Sequence, residues 1–455
     1  MRAAIDRARQ GDMSPGGVVR RRGVAALAVL ALALVLGGCA RSVGSSRGGD
    51  ARGVGGPRTG ALSPVPPSQA RSSSPGGDLT TYHYDNTRSG DGPARPSLAH
   101  IRRIWTDRRI DGAVYGEPLV LGHLAVVVTE DDYVYGIKAS SGHVLWRASI
   151  GAPVQASSLR AAPGLGGCGN IFPLGITGTP VIDPSHDELF VAGEVQRRHR
   201  AGWQGIEHVM AAVSLSNGHV RWERRIDPPR AGGAYVVAAL QQRTALSLVA
   251  GRVVAEFGGL FGDCGDYHGY VVSLAESGSG AQYTYRVPTA REGAIWDVSG
   301  AAAGSNGELF VATGNSSSTS RFDFANAVIG LTHTLSVKSF FAPKDWAALS
   351  AGDLDLGAGG PILLREPDLI FESGKVNEHS VNVGYLLDPG SLGGIGRPRY
   401  VARACPGDHN VVFRAFASAR ELHRGHRETF VYVPCAHGTA GLVVFGGSRP
   451  SFHRV

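Results

Sequence analysis

From Asp78 onward the chain is a succession of short apolar runs, each bounded by Gly, Pro, Asp or Asn. The runs at 124–128, 188–192, 253–257, 308–313 and 431–433 have the composition and length of β-strands. No window of comparable strength carries a helical period, so the pattern predicts an all-β domain. Runs such as Ala125-Val126-Val127-Val128 do not alternate, as expected of strands covered on both faces.

The pattern repeats. Gly142-His143-Val144-Leu145-Trp146 returns as Gly218-His219-Val220-Arg221-Trp222, and each copy continues to an Ile and a Pro (Ile150 and Pro153, Ile226 and Pro229). Glu188-Leu189-Phe190-Val191-Ala192 returns unchanged at 308–312. Units open on Gly116-Glu117-Pro118, Gly178-Thr179-Pro180 and Gly359-Gly360-Pro361, with Ser299-Gly300-Ala301 and Leu246-Ser247-Leu248 in equivalent places. The period is roughly 60 residues, which suits a four-stranded propeller blade plus a long insert. Inserts are expected at 155–176, 197–205, 230–243 and 316–321. In this reading Gly142 and Gly218 permit positive-φ hairpin turns, Trp146 and Trp222 dock on the next blade, and His143 and His219 are exposed turn residues. Neither copy is then a candidate active site.

Val134-Tyr135-Gly136-Ile137-Lys138-Ala139-Ser140-Ser141-Gly142, running on to Trp146, resembles the repeat of the pyrroloquinoline-quinone-like (quinoprotein dehydrogenase-like) β-propellers. Tyr82-His83-Tyr84-Asp85-Asn86-Thr87-Arg88-Ser89-Gly90 resembles the opening segment of bacterial members. The resemblance implies a β-propeller of four-stranded blades over 78–455. About six blades are recognisable. The last strand-like segment is 441–445, and no further Gly-x-Pro or Gly-x-x-x-Trp unit follows. The expectation is therefore a ring closed with fewer blades or an incomplete, C-terminally truncated ring of a seven- or eight-bladed family. Members of the family either carry the quinone with calcium, next to a ring formed by adjacent cysteines, or carry no cofactor. Adjacent cysteines are absent from this sequence, which weighs against the enzyme reading although some quinone enzymes lack the pair; no cofactor is expected, and quinone with calcium enters only under an enzyme reading.

Charge adds a location. Of the formal +7, the first 38 residues supply six Arg and two Asp, leaving too little elsewhere for a nucleic-acid-binding stripe. Arg20-Arg21-Arg22 precedes an apolar run from Val24 to Leu36, too short to span a bilayer and suited to an export signal. Leu36-Gly37-Gly38-Cys39 resembles a bacterial lipobox, which implies a signal peptide at 1–38 and lipidation at Cys39; translation starts at Met1 or Met13. Residues 39–77 are rich in Gly, Ser, Pro and Arg and read as a disordered tether. The expected location is the extracytoplasmic side of the cell membrane, held there through Cys39.

Four more cysteines, Cys168, Cys264, Cys405 and Cys435, fit disulfides in an exported domain. Of three possible pairings, 168 with 264 and 405 with 435 join segments in nearby blades. No zinc spacing, nucleophile elbow or phosphate loop is present, and Asp353-Leu354-Asp355-Leu356-Gly357 lacks the remaining ligands of a calcium loop. No catalytic or metal-ligating residue is assigned; Asp263, Trp296, Asp297 and Asp355 are the candidates for a ligand-facing surface. Three function classes follow. The first is a non-catalytic envelope scaffold binding a protein or cell-wall partner. The second is a quinone-dependent dehydrogenase or small-ligand-binding propeller, and the third a glycan-active propeller.

Overall fold

The computed structural model describes residues 77–93, 102–200, 202–229, 236–377, 379, 381–407, 415–423 and 425–455. The expected signal segment, Cys39 and all but the last residue of the expected tether lie outside them. Among the described residues six sheets follow one another along the chain, each built on four antiparallel strands in sequence order; a fifth strand joins two of them, Leu240–Gln241 in the third and Gly394–Ile395, which runs parallel to Val337–Ala342, in the fourth. The first sheet contains Leu119–Leu121, Leu124–Val128, Tyr133–Lys138 and His143–Ser149. Later sheets open on Val181–Asp183, Ser247–Val249, Ala302–Ala303, Ile362–Leu364 and Ala417–His423. The Gly-x-Pro segments and their substitutes each lead into one of these first strands. The sixth sheet has no such marker. It closes with Ser451–Arg454, a strand beyond the 441–445 segment that the apolar pattern took as the last.

Alternate residues of each strand fill successive seams. In the second sheet Leu189, Val191 and Val195 pack against the first sheet, while Phe190 and Ala192 pack against the third. The third and fourth, fourth and fifth, and fifth and sixth sheets share seams of the same kind. Two-sided burial is what the unbroken apolar runs encode.

The repeated Trp works between sheets. Trp146 donates its indole N–H to the Leu215 carbonyl (2.9 Å), and Trp222 donates to that of Glu276 (3.0 Å). Each ring lies where a Cβ on Gly218 or Gly278 would stand, 2.7 and 2.5 Å away, and both glycines have positive φ (76° and 69°). Glycine is therefore required twice over at these turns. A third copy was hidden in the sequence: Trp105 donates to the Ala139 carbonyl (2.7 Å) and covers Gly142. His143 and His219 are exposed.

The two ends of the sheet array differ. First and second strands are joined by two to five residues, whereas second and third strands are joined by as many as fifteen, at 313–327. Strand alternation puts the connections between sheets, such as 150–180, at the long-loop end as well. Both disulfides staple that end: Cys168 to Cys264, and Cys405 to Cys435. Among the described residues no helix is long and apolar enough to cross a membrane.

Candidate functional site

Residues 79–90, which include the 82–90 segment resembling the opening of the bacterial family members, run between the sheets and bond to the first strand of each of the six described ones. Leu79 exchanges two backbone hydrogen bonds with Val120, Thr80 accepts from Ile182, Asn86 from Ala303, Thr87 from Leu363 and Ser89 from Ser418. The third sheet is held by side chains: Asn86 Nδ2 donates to the Leu248 carbonyl (2.8 Å), and Arg88 donates to the Leu246 carbonyl (3.0 Å) and Ser247 Oγ (2.6 Å). His83, Tyr84 and Arg88 take positive φ (54°, 70° and 61°), a cost these surrounding bonds sustain.

Arg88 is fully buried. Its guanidinium also donates to the Ala301 carbonyl (3.1 Å) and Thr81 Oγ1 (3.0 Å). Its charge faces Glu256 and Asp297. Burial pushes Glu256 up to about 7, against Thr244 Oγ1, which donates to it at 2.6 Å. Burial likewise raises Asp297, whose Oδ1 accepts from the Ser299 amide (2.9 Å) and hydroxyl. Glu372, also fully buried, is held well above the usual carboxylate range by burial and by Asp297. Asp297 Oδ2 and Glu372 Oε2 are buried with no hydrogen-bond partner among the described residues. Isolated buried carboxylates take up a proton instead of remaining charged.

The four ligand-face candidates all lie toward the long-loop end. Trp296 Nε1 and Asp355 Oδ1 flank Gly314, at 3.1 and 2.5 Å from where its Cβ would be. Asp355 accepts from the Asn315 amide (2.9 Å) and pairs with Lys375 Nζ at 2.6 Å. Arg243 covers the Trp296 ring, its guanidinium carbon 5.5 Å from the centroid. Asp263 is exposed beside the Cys168–Cys264 bridge and accepts from Tyr267 Oη at 2.6 Å. Tyr82, Arg88, Glu256 and Glu372 were not singled out from the sequence; only the likeness of 82–90 to a family segment pointed toward them.

This arrangement does not fit a quinone with calcium. Residues 79–90 run between the first strands, one face of Trp296 is covered by Arg243, and Asp355 already has Lys375 as its cation. The disulfide at this end joins residues 96 apart in sequence rather than neighbours.

The fold is that of a β-propeller built from four-stranded antiparallel sheets. Residues 102–313 match the family model described as outer membrane protein assembly factor BamB. With the repeats, this match over just under half of the chain is consistent with the PQQ-like β-propeller family. No match was found among curated proteins. Among solved structures, a europium-containing methanol dehydrogenase is 11% identical with a TM-score of 0.53, covering 81% of this chain and 69% of its own. The quinohemoprotein alcohol dehydrogenase of Comamonas testosteroni is 14% identical with a TM-score of 0.43, covering 83% of this chain. This chain spans about half, 49%, of that enzyme's length. BamB of Moraxella catarrhalis is 12% identical with a TM-score of 0.41, each chain covered to 74%.

Proposed function

We propose that the protein is an exported, lipid-anchored propeller that acts as a non-catalytic scaffold at the cell envelope, binding a protein or cell-wall partner through its long-loop end. The observation that carries this reading is the filled axis. A propeller enzyme places its substrate or cofactor in the central funnel, and here residues 79–90 occupy the centre with bonds to all six sheets. What remains available to a partner is the surface of the loops, where a rigid scaffold allows sequence to vary.

That surface includes an open cleft of about 520 Å³ between the first and second sheets. Its walls are Ser149 to Ala152 on one side and Gln196 to His199 on the other. Arg197 is paired with Glu207 and Glu223, while Arg198 and His199 are exposed. The two disulfides support an oxidising, extracytoplasmic compartment. The lipobox-like segment ending at Cys39 supports attachment to the membrane, with the stretch at 40–76 as spacer.

The test is metabolic labelling with a fatty-acid analogue combined with affinity capture from membranes. The expected result is label and membrane association in the wild type, both lost in Cys39→Ala, with a reproducible envelope partner lost on replacing 197–205 by a short turn. Soluble, unlabelled wild-type protein overturns the anchor. Dye reduction after reconstitution with quinone and calcium overturns the non-catalytic reading.

A further inference from the structure

At the tight-turn end, the seam between the second and third sheets departs from the repeat. In the first two sheets the equivalent positions are apolar: Leu121, closing a first strand, and Leu215, whose carbonyl receives the Trp146 indole, are buried in one core cluster. Strand register makes Asp183 the counterpart of Leu121, since Leu121 pairs with Leu124 as Asp183 pairs with Glu188. Glu276, whose carbonyl receives the Trp222 indole, is the counterpart of Leu215. Two carboxylates thus face each other where the repeat places two leucines. Like charges across a partly desolvated seam repel, and a positive charge between them, on the imidazole or on a bound ion, offsets that repulsion.

His186, in the turn after Asp183, reaches into this gap. Its Nδ1 lies 2.5 Å from Asp183 Oδ2 and 3.9 Å from Glu276 Oε2. One ligand atom from each of the three residues lies within 4.8 Å of the other two. The geometry is held from outside the cluster. Asp183 Oδ1 accepts from the Ser185 amide (2.8 Å) and hydroxyl (2.6 Å), leaving Oδ2 to face the imidazole. The Glu276 backbone is fixed by Trp222 and by its own N–H donating to the Gly251 carbonyl (3.2 Å). The neighbouring acids Asp187 and Glu188 are already engaged by Arg221, at 3.3 and 2.9 Å.

We propose that Asp183, His186 and Glu276 form a binding site for a divalent transition-metal ion of the Zn²⁺ class, clamped across the seam between the second and third sheets. One imidazole and two carboxylates are a zinc-type donor set; ligand atoms around a tetrahedral zinc stand about 3.3 Å apart, so the ion replaces the direct His186–Asp183 hydrogen bond, which opens from 2.5 Å, while Glu276 closes in from 3.9 Å. The side chain of His186 is 66% exposed, which leaves a path for the ion and an open fourth position for water. Because the ligands come from two sheets, the ion ties one to the other and stabilises the fold.

The test uses the full chain, stripped with a chelator and titrated with ZnCl₂ in a calorimeter, with Co²⁺ absorption as a second readout. The expected result is one equivalent bound, a rise in thermal midpoint, and visible d–d bands with Co²⁺. His186→Ala and Glu276→Gln should each weaken binding by about 10-fold or more and remove the bands, as loss of a ligand does. Both variants are judged only after their metal-free thermal midpoints match the wild type; if Glu276→Gln unfolds, His186→Ala alone decides. Absence of saturable binding, or binding and bands unchanged in His186→Ala, overturns the site.

Discussion

Arg88→Ala should cost the protein about 4 kcal/mol of stability at pH 8. The guanidinium is fully buried and donates to three carbonyls of the third and fourth sheets, Ala245, Leu246 and Ala301, as well as to Thr81 and Ser247. Ala301 retains the Ser247 hydroxyl as a donor at 3.0 Å, so truncation strands chiefly the Leu246 and Ala245 carbonyls, at about 1–3 kcal/mol each. Removing one member of a buried charge cluster typically costs about 3–5 kcal/mol, and the two estimates agree. The countercharge adds a pH signature. Without Arg88, Glu256 and Asp297 lose a positive neighbour and their ionised forms become still less favourable, so the loss should be greater at pH 8 than at pH 5. Urea unfolding followed by Trp fluorescence at both pH values measures this, and limited proteolysis reports release of 79–90. Arg88→Lys keeps the charge but not the fork of donors and should recover only part of the loss. A deficit below about 1 kcal/mol at pH 8, with 79–90 still protected, would refute the claim that this segment ties the sheets together.

Burial holds Glu130 up at about 7, above its usual 4.5. The folded state therefore binds the proton more tightly, and this residue's contribution is fully present below pH 4.5 and lost as pH rises through 7. The gap corresponds to about 3 kcal/mol at most. Glu130→Gln keeps an acceptor for the Gly175 amide and should flatten stability over that window, as a pH series of unfolding curves will show. Gly218→Ala places a methyl 2.7 Å from the Trp146 ring at a positive φ; a loss of about 2 kcal/mol and altered near-UV circular dichroism are expected. Replacing Cys168 and Cys264 by Ala opens a loop closed across 96 residues, for which chain entropy gives a loss of about 4–5 kcal/mol in denaturant unfolding.

The sheets were legible because a repeat writes the same local signal several times. Gly116, Gly178 and Gly359 mark first strands, and the unbroken apolar runs reveal burial on two sides. Where the signal is written only once, it failed. Ser451–Arg454 turns just Phe452 into a core cluster and reads as a polar tail. Trp105 carries no Gly-His-Val before it, so its likeness to Trp146 emerges only from its docking on Gly142. The axial segment is the extreme case. Its polar, turn-rich residues find their partners up to about 330 positions away, as Ser89 does at Ser418, and no local period encodes such bonds. Asp263, Trp296, Asp297 and Asp355 stand out in the sequence by residue type alone. The structure puts them toward one end, but the groups that set its electrostatics, Arg88, Glu256 and Glu372, sit in strands or turns that read as scaffold.

The position of the disulfides bears on how the long-loop end could bind. Loops of up to fifteen residues would ordinarily lose conformational freedom on meeting a partner, at about 0.5–1.5 kcal/mol for each side chain immobilised. Here Cys168 and Cys264 join the connection after the first sheet to the loop of the third, and Arg291 donates to the carbonyls of Asp263 and Gly265 at 2.8 and 3.0 Å. Cys405 and Cys435 do the same for the connection between the fifth and sixth sheets. Part of the ordering has thus been completed on folding. The opposite end carries neither disulfide, and the turns between first and second strands there are only two to five residues long. If the staples serve binding as well as stability, mild reduction should weaken capture of a partner at the long-loop end before the ring unfolds, with dissociation faster rather than association slower. Equal capture by the reduced, still folded protein would assign the disulfides to stability alone.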